Sequence, residues 1–356
     1  MICYALILAG GGGTRFWPIS RNNLPKQLMN LGGEDILINE TIKRLSGLVE
    51  PANTYIVTNQ YQAQLMSEMI LTGFSKENIL IEPAAKNTAP CILYSALSLY
   101  KKHGDGVICI FPSDHHIQPV APFQQVLKEA MDLAEKEHCL VTLGIKPIFP
   151  STGYGYIRYD EAKAEKWGFK VEEFVEKPPF DKATEFIQKG NYLWNSGILV
   201  GKLSTLIEDF KRFLPRVYEK LASVFEIEDA VSFNQRLSEK YEQIQGISID
   251  YGILERSDHV YVIPGEFGWN DVGSWDALGS IFKPDSDGNV IKADHIGIGT
   301  KNSIIYGNSQ LIATVGLSDM IVVATDDAIL ICPRNRAQDV KSIVEKLKEN
   351  NRVDLL

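Results

Sequence analysis

The 356-residue chain has no paired cysteines, no surplus of positive charge and no apolar run long enough to cross a bilayer. Its five cysteines, Cys3, Cys91, Cys109, Cys139 and Cys332, are dispersed. That spacing excludes a C-x-x-C redox motif and the usual zinc frameworks. They are expected to act as small core residues in a reducing compartment. Lys and Arg number 36 against 45 Asp and Glu, a net charge of −9. This excludes a dedicated nucleic-acid binder, which is basic overall, but leaves room for a local cationic site. The apolar run Tyr4–Leu8 is far too short to span a membrane, and no basic leader precedes it. The expectations are a cytoplasmic location with neither membrane nor nucleic-acid partners. Two familiar phosphate loops are also missing. Counting G-x-G-x-x-G from Gly10 puts Arg15 at the third glycine position, and no Gly-Lys pair completes a Walker loop.

What is present is concentrated in Ile2–Gln27. The apolar run Tyr4–Leu8 predicts a strand buried on both faces. Gly10, Gly11, Gly12 and Gly13 follow, then Thr14, Arg15 and, past Pro25, Lys26. Glycines let a ligand approach the backbone closely, and successive N–H groups form an anion nest. Two cations flanking bare amides suit a polyphosphate.

Alternating strand and helix patterns continue along the chain. Strands are predicted over 54–58, 78–81, 107–111, 139–145 and 260–264, and helices over 36–45, 61–70, 87–102 and 123–137. The fold class expected is α/β, a Rossmann-like, layered, mainly parallel sheet whose ligands bind at the carboxyl ends of strands. Asp114 closes one such strand. A carboxylate there would repel a triphosphate unless a divalent cation lay between them, so Asp114 reads as a Mg²⁺ ligand or as a turn Asp capping the next helix. His115 and His116 read as structural or as supports behind the ligands, since a hard ion does not favour imidazole. Residues 203–243 read as helical, with Phe210, Phe213, Leu214, Val217 and Leu221 as an apolar stripe. Asp250 reads as an acid supporting the site or, by preference, as a helix cap, and Trp275 as packing on the helix that follows it. After Pro284, short β-branched runs at 303–306, 311–314, 320–323 and 328–331 suggest a small β-helix-like module. A closing helix over 339–350 is expected to dock on the nucleotide domain or on a second copy, as in a homodimer.

The segment LAGGGGTRFWPISRNNLPKQ resembles the signature of the sugar-nucleotide pyrophosphorylases. Its Phe16-Trp17-Pro18 and Ser20-Arg21 details are most similar to the mannose-1-phosphate guanylyltransferases. The resemblance extends over most of the chain and is weaker beyond Pro284. It implies a nucleotidyltransferase domain at 1–284, with a nucleotide half at 1–146 and a sugar-phosphate half at 147–284, followed by a small module at 285–356. It implies that Leu8, Ala9, Gly10–Gly13, Thr14, Arg15, Lys26, Asn87, Thr88, Ala89, Ser113 and Asp114 contact the nucleotide. Gly155, Glu176, Lys177 and Asn195 would contact the sugar phosphate. Asp271, in Gly268-Trp269-Asn270-Asp271, matches a second metal carboxylate beside Asp114, with Mg²⁺ as cofactor. Arg15, Lys26, Asp114 and Asp271 would be catalytic. Without the resemblance, Glu176-Lys177 is equally a surface ion pair and Gly155 a strand bulge. The implied reaction joins GTP and mannose 1-phosphate to give GDP-mannose and diphosphate. The alternatives are another pair, such as dTTP with glucose 1-phosphate, or a regulatory subunit that binds the sugar nucleotide without turnover.

Overall fold

The computed structural model describes residues 2–31, 33–71, 73–164 and 168–356. Along the chain run β1 Cys3–Leu8, α1 Leu37–Lys43, β2 Thr54–Asn59, α2 Gln60–Met69, β3 Ile79–Glu82, α3 Thr88–His103 and β4 Val107–Pro112. Next come β5 His116–Ile117, α4 Val120–Glu137, β6 Leu140–Ile145, β7 Tyr156–Ala164, β8 Phe169–Val175, α5 Phe180–Lys189 and β9 Tyr192–Lys202. The helical stretch is α6 Leu203–Phe213, α7 Pro215–Ala222 and α8 Ala230–Glu242, followed by β10 Val260–Pro264, β11 Trp269–Asn270 and α9 Leu278–Ile281. The last part holds β12 Val290–Lys292, β13 His295–Ile298, β14 Ile304–Gly307, β15 Ile312–Val315, β16 Met320–Ala324, β17 Ile329–Pro333 and α10 Val340–Glu349. Among the described residues no helix is long and apolar enough to cross a membrane.

The chain forms two compact units. The first holds the described residues up to Gly10, Ile42–Ser113 and Ile117–Trp269. Its nine-stranded sheet has the order β3-β2-β1-β4-β9-β6-β10-β8-β7. The expected parallel part is β3-β2-β1-β4. Beyond it, β9 runs antiparallel to both β4 and β6, and β10 pairs parallel with β6. The buried runs Cys3–Ile7 and Val107–Phe111 explain the central strands, since both faces of the sheet are covered. α3 begins at Asn87, whose side chain accepts from Thr88 N, and stops at Gly104 with φ 81°. Lys101, Lys102 and His103 in its last turn suit the helix dipole. The predicted stripe on 203–243 divides: Phe210 and Leu221 are fully buried, while Phe213, Leu214 and Val217 pack at the margin of the same core. Four of the five cysteines are buried, as expected, and Cys332 is half-buried; all are free thiols.

The second unit holds Gly11–Thr41, Asp114–His116 and Asn270–Leu356. Here β12-β14-β16-β17 form one sheet and β13-β15 another. Four of these strands match the predicted short runs; β12 and β13 fall outside them. One face of the larger sheet joins Phe16, Trp17, Leu31, Trp275 and Val344 in a common core. The expected docking of the last helix is therefore internal to this unit, where Val340 and Val344 are buried while Ile343 is exposed. Trp275 packs, as expected, in one core cluster with Leu278 of the following helix, and it reaches further. It is fully buried, and its ring lies 5.1 Å from Phe16 and 5.2 Å from Tyr306. Its indole N–H donates to Trp17 O at 3.0 Å. It ties the 11–41 segment to the β module rather than serving only its own helix. Truncation of such a side chain costs about 3–5 kcal/mol.

Candidate active site

In the second unit the glycine run leads to a cation held between two segments distant in sequence. Gly13 has φ 65°, a left-handed conformation that admits glycine readily. A Cβ there would clash with the Cβ of Lys26, so both conformation and space require glycine. Pro25, extended, leads into a single 3₁₀ turn over Lys26–Leu28 that buries Lys26. The Lys26 Nζ donates to Asp114 Oδ2 at 2.8 Å and to the Asp271 carbonyl at 2.9 Å. Its charge also lies 5.6 Å from the centre of the Phe16 ring. One ammonium thus joins Asp114 and Asp271, which stand far apart in the sequence.

The electrostatics follow from this geometry. Burial by itself would push the Asp114 carboxyl up. The Lys26 charge, a smaller contribution from His115 and the Lys26 hydrogen bond outweigh it, and the group sits below its ordinary value. It is therefore ionised at neutral pH. Asp271 lies beside backbone strain: Val272, β-branched and buried, has φ 47°, and its N–H donates to Asn270 Oδ1 at 2.7 Å. Such outliers cluster at functional sites. A Cβ on Gly273 would come within 2.9 Å of Asp271 Oδ2. The oxygen donors Asp114 and Asp271 fit a hard cation that takes one or two carboxylates and completes its shell with phosphate and water. Arg15 is exposed, and its side chain has no partner among the described residues.

The remaining nucleotide candidates lie in the first unit. The parallel order places the carboxyl ends of β1, β3 and β4 at one edge. There Ala9 N donates to Val57 O, Thr58 Oγ1 donates to Ala9 O, and Ser113 N donates to Leu8 O. These bonds fix the strand end from which the glycine run leaves. Asn87 is exposed, with φ 68°. The Thr88 hydroxyl accepts from Ile249 N at 2.8 Å, and Ala89 N donates to Ile247 O at 3.1 Å. Of this trio, the Asn87 side chain is the group facing solvent. Glu82, at the end of β3, is a further candidate that sequence reasoning missed. It is buried, accepts from Tyr241 Oη at 3.0 Å, and its Oε1 would stand 3.2 Å from a Cβ on Gly10. Burial pushes its carboxyl up. The available signal is its place at a strand's carboxyl end, the same signal that singles out Asp114.

The four sugar-phosphate candidates do come together in the first unit. Asn195 N donates to Gly155 O at 2.8 Å. A Cβ on Gly155 would meet Glu176 Oε2 at 2.5 Å, so glycine admits the carboxylate. Glu176 Oε1 accepts from Lys177 Nζ at 2.8 Å, and Glu176 N donates to Glu255 Oε1 at 3.1 Å. Burial pulls the Lys177 ammonium down, but the hydrogen bond and charge of Glu176 prevail and raise it. Asn195 is locked from three sides. Its Oδ1 accepts from Thr142 Oγ1 and Gly197 N, which turns its NH₂ to Asp250 Oδ1 at 3.1 Å.

Asp250 therefore follows the supporting-acid reading rather than the preferred cap. Ile249, not Asp250, precedes the short helical turn Asp250–Leu254, and the Asp250 side chain is committed to Asn195. Burial, with the Glu176 charge adding to it, pushes this carboxyl up to about 6. Two acids, one cation and an oriented amide form a set of donors and acceptors suited to hydroxyls and a phosphate.

Comparison with known proteins places this geometry among relatives. The family model described as nucleotidyl transferase matches residues 4–287, and one described as a MannoseP isomerase/GMP-like beta-helix domain matches 285–347. The chain is 37% identical over 358 residues to the mannose-1-phosphate guanylyltransferase of Escherichia coli K12, covering 98% of this chain and 74% of the relative. A crystal structure from Thermus thermophilus, described as a mannose-1-phosphate geranyltransferase, superposes with a TM-score of 0.89 at 32% identity, covering 98% of this chain and 100% of that one. A Helicobacter pylori structure described as a mannose-6-phosphate isomerase gives 0.62 at 27% identity, covering 76% of this chain and 100% of the other.

Proposed function

The chain belongs to the nucleotidyl transferase family, and from that premise we propose that it transfers a guanylyl group from GTP to α-D-mannose 1-phosphate, releasing diphosphate. The observation that carries this reading is the Lys26 ammonium fixed between Asp114 and Asp271 beside Gly13. The base and sugar are argued from the names of the relatives. A sugar-phosphate oxygen attacks the α-phosphorus in line, the bond to the diphosphate oxygen breaks, and diphosphate leaves with that electron pair. A phosphate dianion is already nucleophilic at neutral pH, so no protein base is required. The protein's contribution is alignment and charge neutralisation.

Each residue has a role in that scheme. Lys26 is preorganised: its two hydrogen bonds hold the charge in place before a triphosphate arrives. Arg15, exposed on the glycine loop, closes on phosphate oxygens. Lys177 takes the 1-phosphate, while Glu176 and Asn195 take sugar hydroxyls and Asp250 keeps the Asn195 amide turned. Asp114 and Asp271 would hold Mg²⁺, which when bound supplies charge neutralisation on the triphosphate.

The test is diphosphate release with each nucleoside triphosphate against a panel of hexose 1-phosphates. GTP with mannose 1-phosphate is expected to give the highest kcat/KM. Preference for dTTP with glucose 1-phosphate would replace the substrate pair and keep the chemistry. Tight binding of GDP-mannose with no turnover on any pair would overturn the reading in favour of a sensing subunit.

A further inference from the structure

We propose that Thr88, in the loop assigned to the nucleotide, is a positioning residue for the sugar-phosphate pocket, acting through a strap over 246–255 that ties the two sites together. This role rests on the guanylyl transfer proposed above, since it takes 87–89 and the group of Glu176, Lys177 and Asn195 as the sites of the two substrates. The strap begins just after α8 ends. Gly246 passes so close to the loop that a Cβ on it would stand 3.1 Å from the Lys86 carbonyl oxygen. Ile247 N then donates to Lys86 O at 3.1 Å, Ala89 N donates to Ile247 O at 3.1 Å, and Ile249 N donates to Thr88 Oγ1 at 2.8 Å. Lys86 Nζ donates to Glu242 O at 2.9 Å, at the C-terminus of α8. The first two bonds join backbone to backbone and need no particular side chain. The bond from Ile249 needs an acceptor on residue 88.

This clamp accounts for the backbone at Asn87. The residue has φ 68° and ψ −175°, a region populated almost only by glycine. Such a conformation persists only where its surroundings over-determine it, and it clusters at ligand sites. Here Lys86 on one side and Thr88 and Ala89 on the other are bonded to the strap, so the strained residue between them is held with its side chain exposed.

The same strap goes on to the sugar-phosphate pocket. Asp250, next to Ile249, accepts from Asn195 Nδ2 at 3.1 Å, and Glu255 Oε1 accepts from Glu176 N at 3.1 Å. The turn between them is seated on the core. Ile249, Ile253 and Leu254 are buried, and a Cβ on Gly252 would stand 2.8 Å from a Leu214 methyl. A closely packed turn passes a shift on rather than absorbing it. Thr88 Oγ1, Ile249 N, the Asp250 carboxylate and the Asn195 amide therefore form one line from the loop to a group that meets a sugar hydroxyl. Coupling along such a line is reciprocal. A nucleotide that orders 87–89 steadies Asn195, and a sugar phosphate on Asn195 steadies the loop.

The experiment is steady-state diphosphate release by the full chain, with the KM for mannose 1-phosphate measured at saturating GTP and the KM for GTP at saturating mannose 1-phosphate. Thr88→Val keeps the shape of the side chain and removes the acceptor. It is expected to raise the KM for mannose 1-phosphate by at least about 5-fold, the lower end of coupling between sites. Thr88→Ser, which keeps the acceptor, is expected to restore most of that loss. In the double variant Thr88→Val with Asp250→Asn, this KM is expected to rise no further than in the more affected single variant, because both changes break one line. A rise confined to the KM for GTP overturns the role and leaves Thr88 a nucleotide contact only. Effects that multiply in the double variant overturn it too. If Thr88→Val does not fold, Gly246→Ala decides: it presses on the Lys86 backbone and belongs to neither site. A rise in both KM values upholds the strap, and an unchanged KM for mannose 1-phosphate overturns it. Failure of the functional reading shows instead in the wild type. Preference for another substrate pair moves the same comparison to that pair, and no turnover on any pair removes the role together with the function.

Discussion

Replacing Lys26 by Met keeps the aliphatic stem and removes the charge that joins Asp114 to Asp271. The variant leaves a carboxylate whose side chain is only 30% exposed without its counter-ion. It also leaves the Asp271 carbonyl without its donor. Hydrogen bonds to charged groups contribute about 1.5–3 kcal/mol, and stripping a fully buried pair costs about 3–5 kcal/mol. Partial exposure of Asp114 puts the expected loss near the lower end, about 2 kcal/mol, or about 3 °C in Tm for a chain of this length unfolding as a whole. The pH dependence identifies the cause. In the wild type the Asp114 carboxyl lies below its ordinary value, so its stabilising contribution is full above the unfolded value of about 4 and is lost as pH falls through the folded value. In the variant the chief cation is gone, and burial pushes the carboxyl up. The variant therefore gains relative to the wild type on acidification. Thermal melts from pH 7 downward should show the widest gap at neutral pH, narrowing first as the pH falls through the variant's raised Asp114 value and further below about 4, where the wild type loses its own contribution. A constant gap, or none at pH 7, would refute the reasoning. Asp114→Asn combined with Lys26→Met should show coupling of about 2 kcal/mol in a double-mutant cycle.

Three further outcomes follow from the same geometry. Arg15→Ala should melt like the wild type, because the side chain has no partner among the described residues, yet lose about 10²-fold or more in turnover; a melt shifted far downward would make Arg15 structural. Gly13→Ala combines a left-handed backbone with a Cβ that clashes with Lys26, so denaturant titration should show a loss of about 2 kcal/mol or more, together with reduced turnover. Asp250→Asn should stabilise the chain at pH 7.5 by about 2–3 kcal/mol, because a carboxyl raised to about 6 is ionised there at a cost to the folded state. That gain should vanish below about pH 4, where Asp250 is protonated in both states. The KM for the sugar phosphate should rise, since the Asn195 amide loses a charged acceptor.

The sequence and the structure agree where the physics is local. Tyr4–Leu8 and Val107–Phe111 read as doubly buried strands because an unbroken apolar run admits few other fates, and both lie in the sheet centre. Asn87 and Gly104 bound α3 as their backbone preferences require. The association of Lys26 with Asp114 and Asp271 is legible through resemblance rather than spacing, since no periodicity links segments so far apart. β12 and β13 are hidden because Lys292, Asp294, His295 and Gly297 interrupt their apolar runs, whereas the equally short β14 and β15 lie in runs without a charged residue. The Asp250–Asn195 bond is hidden for another reason. A lone Asp before an apolar run has the appearance of a cap, and only folding brings the oriented amide of Asn195 to it. Glu82 looks like any strand-end acid until its partner Tyr241, 159 residues away, is seen to share its buried site. Placement of 11–41 with the C-terminal strands rests on Trp275 and Phe16, whose apolar character alone does not say what they touch.

The central claim, that Asp114 and Asp271 act with Lys26 on the triphosphate, is tested most directly by the kcat for diphosphate release of Asp114→Asn and Asp271→Asn with saturating GTP, mannose 1-phosphate and Mg²⁺. Each variant is predicted to fall by at least about 10²-fold while remaining folded by circular dichroism. Turnover near that of the wild type in either variant would contradict the account.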